Sequence, residues 1–127
     1  MRKGELIERY YQAMRTGAIA SDEIVDLFAD RAVYVEPFSG EASAHVGKEA
    51  IRQSFIDSQR NAPPDMTLTL DRVDVDGDCI RSVWTCASPA FPRPMRGQDL
   101  WTIRDGKILR LETSFLEQDV DSDDAQR

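Results

Sequence analysis

A dipeptide near the C-terminal end does most to limit what this chain can fold into. Asp105-Gly106 sits between two runs in which side-chain character alternates. A two-residue type I′ turn needs φ > 0 at both central positions, and Asp-Gly meets that need at low cost. The final stretch is therefore expected to be a β-hairpin. On its first strand Met95, Gly97, Asp99, Trp101 and Ile103 share a face, and on its second Leu109, Leu111, Thr113 and Phe115 do. If the two faces coincide, Asp99 is a lone carboxylate in an otherwise uncharged, mostly apolar surface.

The chain has 127 residues, enough for one domain with its own core. Its net charge of −7 argues against nucleic acid as a partner, because such binding relies on neutralising phosphates. No apolar run approaches the ~20 residues of a membrane span. The charges in Met1-Arg-Lys-Gly-Glu-Leu-Ile-Glu exclude a secretory signal there, so the cytoplasm is the expected location. Cys79 and Cys86 lie seven apart in one expected strand, hence on opposite faces, and should not bond to each other. Neither belongs to a CxxC or Cys/His cluster, so no metal is expected. Residues 117–127 carry Glu117, Asp119, Asp121, Asp123 and Asp124 against Arg127 and read as an acidic, flexible tail after a domain spanning 1–116.

Along the chain, Leu6, Ile7, Tyr10, Tyr11 and Met14 recur at helical spacing, with Gly17 as a stop. Ser21 with Asp22 and Glu23 starts a short second helix whose buried side is Ile24, Val25, Leu27 and Phe28. A strand over 32–36 ends at Pro37. Residues 39–46, with the only histidine, His45, form a polar loop or short hairpin. A third helix follows over 47–60 with Ala50, Ile51 and Phe55 inward, closed off by Pro63-Pro64. Strands over 66–75 and 79–88 flank a turn at Asp76-Gly77, whose acidic residues lack calcium-loop spacing. Pro89, Pro92 and Pro94 stiffen the link to the last hairpin. Helices first and strands later argue an α+β fold, with one curved antiparallel sheet wrapped around three helices.

Three stretches resemble the nuclear transport factor 2-like superfamily of cone-shaped α+β proteins: Glu8-Arg-Tyr-Tyr-Gln-Ala-Met14, Asp26-Leu-Phe-Ala-Asp-Arg-Ala-Val-Tyr-Val-Glu-Pro37, and Gly47-Lys-Glu-Ala-Ile-Arg together with Asp99-Leu-Trp-Thr-Ile-Arg-Asp-Gly-Lys-Ile108. Within it the pattern is similar to the ketosteroid isomerases, with SnoaL-like polyketide cyclases close behind. The isomerase pattern has a tyrosine after arginine in the first helix, an acid before proline at the end of the first strand, and an acid on the penultimate strand. Tyr10, Glu36 and Asp99 match.

The resemblance implies a cofactor-free reaction on a small hydrophobic carbonyl compound. Glu36 would abstract a proton and Tyr10 with Asp99 would hydrogen-bond the enolate oxygen. Phe28, Tyr34, Phe55, Trp101, Leu111, Thr113 and Phe115 would surround the substrate. It also implies a homodimer formed through the outer face of the sheet, which would carry Ser82, Trp84, Cys86, Leu100 and Thr102. The sequence departs from the isomerases where Glu36 replaces the usual Asp, and where Phe55 has no hydroxyl to orient Tyr10. The residues leave open two alternatives: a polyketide cyclase-like enzyme, or a ligand-binding or dimerisation module without chemistry. Asp99 itself can be read as a pocket acid or as a structural acid paired with Arg81, Arg96 or a helix end.

Overall fold

The apolar stripe of the first helix decides the layering. In the computed structural model, which describes residues 2–38 and 42–116, helix α1 (Lys3–Thr16) buries Leu6, Ile7, Tyr10, Tyr11 and Ala13 on one side. It ends at Gly17, whose φ of 80° closes the C-terminus through a bond from its N–H to the Ala13 carbonyl. Helix α2 (Asp22–Val25) is a single turn, capped by the Ser21 hydroxyl accepting the Ile24 N–H. The chain then enters strand β1 (Phe28–Glu36), four residues earlier than alternation alone indicates, so Phe28 is a strand residue rather than part of the helix. The stretch read as a loop or short hairpin contains a strand, β2 (Ser43–Val46), paired antiparallel with β1.

Helix α3 (Lys48–Arg60) buries Ile51, Ser54 and Phe55. Four strands follow: β3 (Thr67–Asp76), β4 (Cys79–Ala87), β5 (Met95–Arg104) and β6 (Lys107–Phe115). All six strands form one sheet in the order β2-β1-β6-β5-β4-β3. The sheet is mixed rather than wholly antiparallel, because the early strand β1 pairs parallel with the last strand β6. That pairing joins the N-terminal half to the hairpin region. Asp105 and Gly106 both take positive φ, 53° and 75°, as the turn chemistry requires.

Register sorts the concave face into three rows. One runs Ile80, Trp101, Leu111, Tyr34 and is apolar apart from the phenol. The next runs Ser82, Asp99, Thr113, and Glu36 extends it, since Val35 aligns with Glu112. The third runs Trp84, Gly97, Phe115. A polar row thus crosses the sheet between two mainly apolar ones. Helices α1 and α3 cover this face: Tyr10 packs edge-on against Trp101 at 4.9 Å between ring centroids, and Phe55 packs on Tyr34 at 5.1 Å.

Two expectations about faces are corrected by the register. Ser82, Trp84 and Cys86 point to the concave side, because even-numbered residues of β4 stand opposite odd-numbered residues of β5. Leu100, by contrast, is exposed on the outer side. On β6, Ile103 pairs with Ile108 while Thr102 pairs with Arg110, so Leu109 is an extra residue. This β-bulge buries Ile108 completely and leaves Leu109 only partly covered. The acidic tail lies outside the described residues. Among them, no helix is long and apolar enough to cross a membrane.

Candidate active site

Between the concave face and the two longer helices lies a cavity of about 790 Å³. Tyr10, Tyr11 and Met14 reach it from α1, Ser54 and Phe55 from α3, and Tyr34 and Glu36 from β1. The polar row forms part of its wall through Asp99 and Thr113. Trp84 and Phe91 also line it, as do Phe38 and Phe115, which are about half exposed at its open edge and pack edge to face at 5.6 Å.

Asp99 is buried, with 2% of its surface exposed. The Tyr11 hydroxyl donates to its Oδ2 at 2.5 Å and the Thr113 hydroxyl to its Oδ1 at 2.6 Å. Arg81, a candidate structural partner, instead bonds Gln98 at 2.7 Å. Burial pushes the Asp99 carboxyl up to about 6, against the pull of its hydrogen bonds from Thr113, Tyr11 and Trp84.

The bonds around Asp99 have a direction. Trp101 Nε1 can only donate, and it donates to Ser82 Oγ at 2.9 Å. Ser82 Oγ is 2.7 Å from the Tyr11 hydroxyl, which gives its own proton to Asp99. Ser82 therefore donates to Tyr11 while the carboxylate is ionised. The chain Trp101 to Ser82 to Tyr11 to Asp99 is polarised toward the carboxylate, and each bond strengthens the next. Burial and this negative neighbour together raise the Tyr11 phenol far above its ordinary range.

Glu36 is the second buried carboxylate, 4% exposed. Its Oε1 accepts the Phe38 backbone N–H at 2.6 Å, and its Oε2 lies 2.8 Å from His45 Nε2. His45 comes from the neighbouring strand β2, one register place away opposite Tyr34, and lines the cavity as well. Glu36 and Asp99 are two strands apart, with Thr113 between them, so their backbones are separated by roughly 10 Å. That leaves room for a ligand between two carboxyl groups.

The remaining sequence candidates divide. Tyr10, Tyr34, Phe55, Thr113 and Phe115 face the cavity. Phe28, Trp101 and Leu111 lie in the core behind it: each is at most 1% exposed, and none borders the cavity. Tyr10 is not bonded to Asp99; its neighbour Tyr11 is. The Tyr10 phenol sits beside Tyr34, and burial raises both above the ordinary tyrosine range. The sequence reading missed Tyr11, Ser82 and the pairing of His45 with Glu36. Tyr11 shares the apolar helix stripe with Tyr10, so nothing in the spacing prefers one phenol. Among the described residues, no group of three or more His, Cys, Asp or Glu could hold a metal ion.

The model for SnoaL-like domains matches residues 7–111. Many solved structures share the fold. A provisionally assigned polyketide cyclase from Sinorhizobium meliloti is 24% identical, with a TM-score of 0.73, over 87% of this chain and 94% of that one. A provisionally assigned ketosteroid isomerase from Kribbella flavida is 18% identical, with a TM-score of 0.69, over 90% of this chain and 77% of that one. TerC, crystallised with polyporic acid, is 21% identical, with a TM-score of 0.69, over 94% of each chain. These likenesses concern the fold. No curated protein sequence matches the chain significantly.

Proposed function

The chain belongs to the family of SnoaL-like domains, and we propose that it catalyses cofactor-free proton transfer on a small, hydrophobic carbonyl compound held in its cavity. The observation that carries this reading is Asp99: a buried carboxyl at the cavity wall, raised to about 6, with Glu36 on the far side of Thr113. Two carboxyl groups in different surroundings are what separate acid and base roles require.

In this reading Glu36 removes a proton from the carbon next to the carbonyl. The C–H electron pair enters the new C=C bond, and the oxygen takes the negative charge. Asp99 in its protonated form, with Tyr10 beside it, hydrogen-bonds that oxygen. Glu36 then returns the proton to a different carbon, so the net change is an isomerisation. Tyr11 and Thr113 hold Asp99 in place. A ligand that expels water pushes the Asp99 carboxyl higher still, toward the donor form.

A second reading is favoured by one specific feature. Both Asp99 oxygens accept hydrogen bonds, which suits an ionised carboxylate acting as the base, as in a cyclase-like deprotonation. The first test is the conversion of a β,γ-unsaturated ketosteroid to its conjugated isomer, followed by absorbance, with wild type, Glu36→Gln and Asp99→Asn. Turnover lost in Glu36→Gln supports the isomerase reading. Turnover that survives Glu36→Gln but not Asp99→Asn transfers the base role to Asp99. Absence of turnover in the wild type removes the isomerase reading for this substrate and leaves the cyclase-like reading or ligand binding without chemistry.

A further inference from the structure

The charges deep in the cavity are one-sided. Glu36 and Asp99 are both nearly fully buried there, whereas Asp57 on α3, at the border, is exposed and paired with Arg60. Among the described residues that line the cavity, none is lysine or arginine. His45, which among these described residues can carry a positive charge, is already placed on Glu36 at 2.8 Å. At the border, the exposed Arg60 of α3 lies 4.0 Å from Asp57, and Arg15 of α1 bonds the Leu68 carbonyl at 2.9 Å. Other cationic side chains of these elements are paired away from the cavity. Lys48 and Arg52 of α3 pair with Asp26, Asp30 and Asp22, Arg9 of α1 with Glu23, and Arg81 of β4 with Gln98 and Asp74.

We propose that Glu36 and Asp99 make the cavity a charge filter, which admits uncharged aromatic or alicyclic carbonyl compounds and rejects the same skeleton bearing a carboxylate or phosphate. An anionic group entering beside Glu36 and Asp99 would either face like charges in a poorly solvated space or force Asp99 to take up a proton, and above the Asp99 midpoint both cost free energy. Among the described lining residues it would find no lysine or arginine to offset the loss of its own hydration. An uncharged carbonyl meets no such penalty, and the aromatic walls of Tyr10, Tyr34, Phe55, Trp84 and Phe115 suit a flat apolar body. The filter depends on the preceding reading only in taking this cavity as the ligand site. The likeness to TerC is at the level of the fold and does not set the charge of the ligand here.

The test uses two probes of nearly equal shape, β-naphthyl methyl ketone and β-naphthoate, with binding followed by calorimetry at pH 8, where Asp99 of the free protein is ionised. The wild type should bind the ketone at least about tenfold more tightly than the carboxylate. Asp99→Asn keeps the size of the side chain and removes one charge, so it should narrow that ratio at least about threefold. Glu36→Gln should do the same, which keeps the idea testable if one variant fails to fold. Equal affinity for the two probes, tighter binding of naphthoate, an unchanged ratio in both folded variants, or no binding of the ketone would each overturn the filter. Loss of turnover in the same variants bears on proton transfer alone, so the two readings fail separately.

Discussion

Trp84 lies flat against Gly97 across the β4–β5 pair. The two residues are directly opposed in register, and a Cβ at Gly97 would run into the six-membered ring of the indole. The glycine is needed for space here, not for backbone freedom. Gly97→Ala should tilt Trp84 away from the sheet, at a cost of about 1–3 kcal/mol. Its displacement should also change the intrinsic fluorescence and the shape of the cavity wall that Trp84 lines. Urea denaturation and the emission spectrum check this, and an unperturbed variant would show that the indole has room to slide.

Asp99 should leave a signature in the pH dependence of stability. Its carboxyl is raised in the folded protein, from 3.8 to about 6, so between these values the native state holds more proton than the unfolded chain. Stability contributed by this group is then present below pH 3.8 and lost as pH rises through 6. A rise from 3.8 to about 6 corresponds to about 3 kcal/mol, of which hydrogen-bond changes on mutation will mask a part. The difference in unfolding free energy between Asp99→Asn and wild type should therefore grow in favour of the variant from pH 4 to pH 7. A flat difference would mean that water or a counter-ion reaches the carboxylate.

Tyr11→Phe isolates one bond of the network. The Tyr11 hydroxyl pulls the Asp99 carboxyl down, so its removal should move the Asp99 midpoint upward from about 6. The same variant takes one donor away from the buried carboxylate and should cost about 1–3 kcal/mol at pH 8 and less at pH 5. Carbon-detected NMR of the Asp99 carboxyl follows the titration directly. A midpoint that falls instead would mean that Thr113 and Trp84 reorganise to take over.

How much of this was legible in the sequence depends on the element. Asp105-Gly106 fixed the closing hairpin because only a few residues accept positive φ at both turn positions, and alternation then put Asp99 on the buried face. The inward turn of Ser82 was not legible, since the register between β4 and β5 is set across the proline-rich link and no two-residue turn fixes it. The bulge at Leu109 was hidden for a related reason: an extra residue leaves the alternation on each side intact and only shifts its phase. Tyr10 and Tyr11 share one helix stripe but point about 100° apart around the axis, and the rotation of α1 against the sheet, which spacing alone does not set, brings Tyr11 to Asp99. The Glu36–His45 pair needed β2, a four-residue strand whose alternation is too short to distinguish from a loop.

Ser82 provides the sharpest test of the polarised network. It is fully buried and accepts from Trp101 Nε1 while contacting Tyr11. Ser82→Ala removes the acceptor and leaves the indole N–H buried beside a methyl group, at a cost of about 1–3 kcal/mol. Trp101→Phe removes the donor as well as part of a fully buried ring, so its own cost is larger and includes a cavity. The double variant should be less unstable than the sum of the two, because the orphaned N–H is gone once Trp101 is replaced. A coupling on the order of 1 kcal/mol is expected from urea denaturation of the four proteins. The readout on Asp99 gives a second, independent outcome. If Ser82 polarises Tyr11 toward the carboxylate, Ser82→Ala weakens the Tyr11 bond and moves the Asp99 midpoint upward, though less far than Tyr11→Phe. Additive stabilities together with an unmoved midpoint would show that Trp101, Ser82, Tyr11 and Asp99 are neighbours without being a chain.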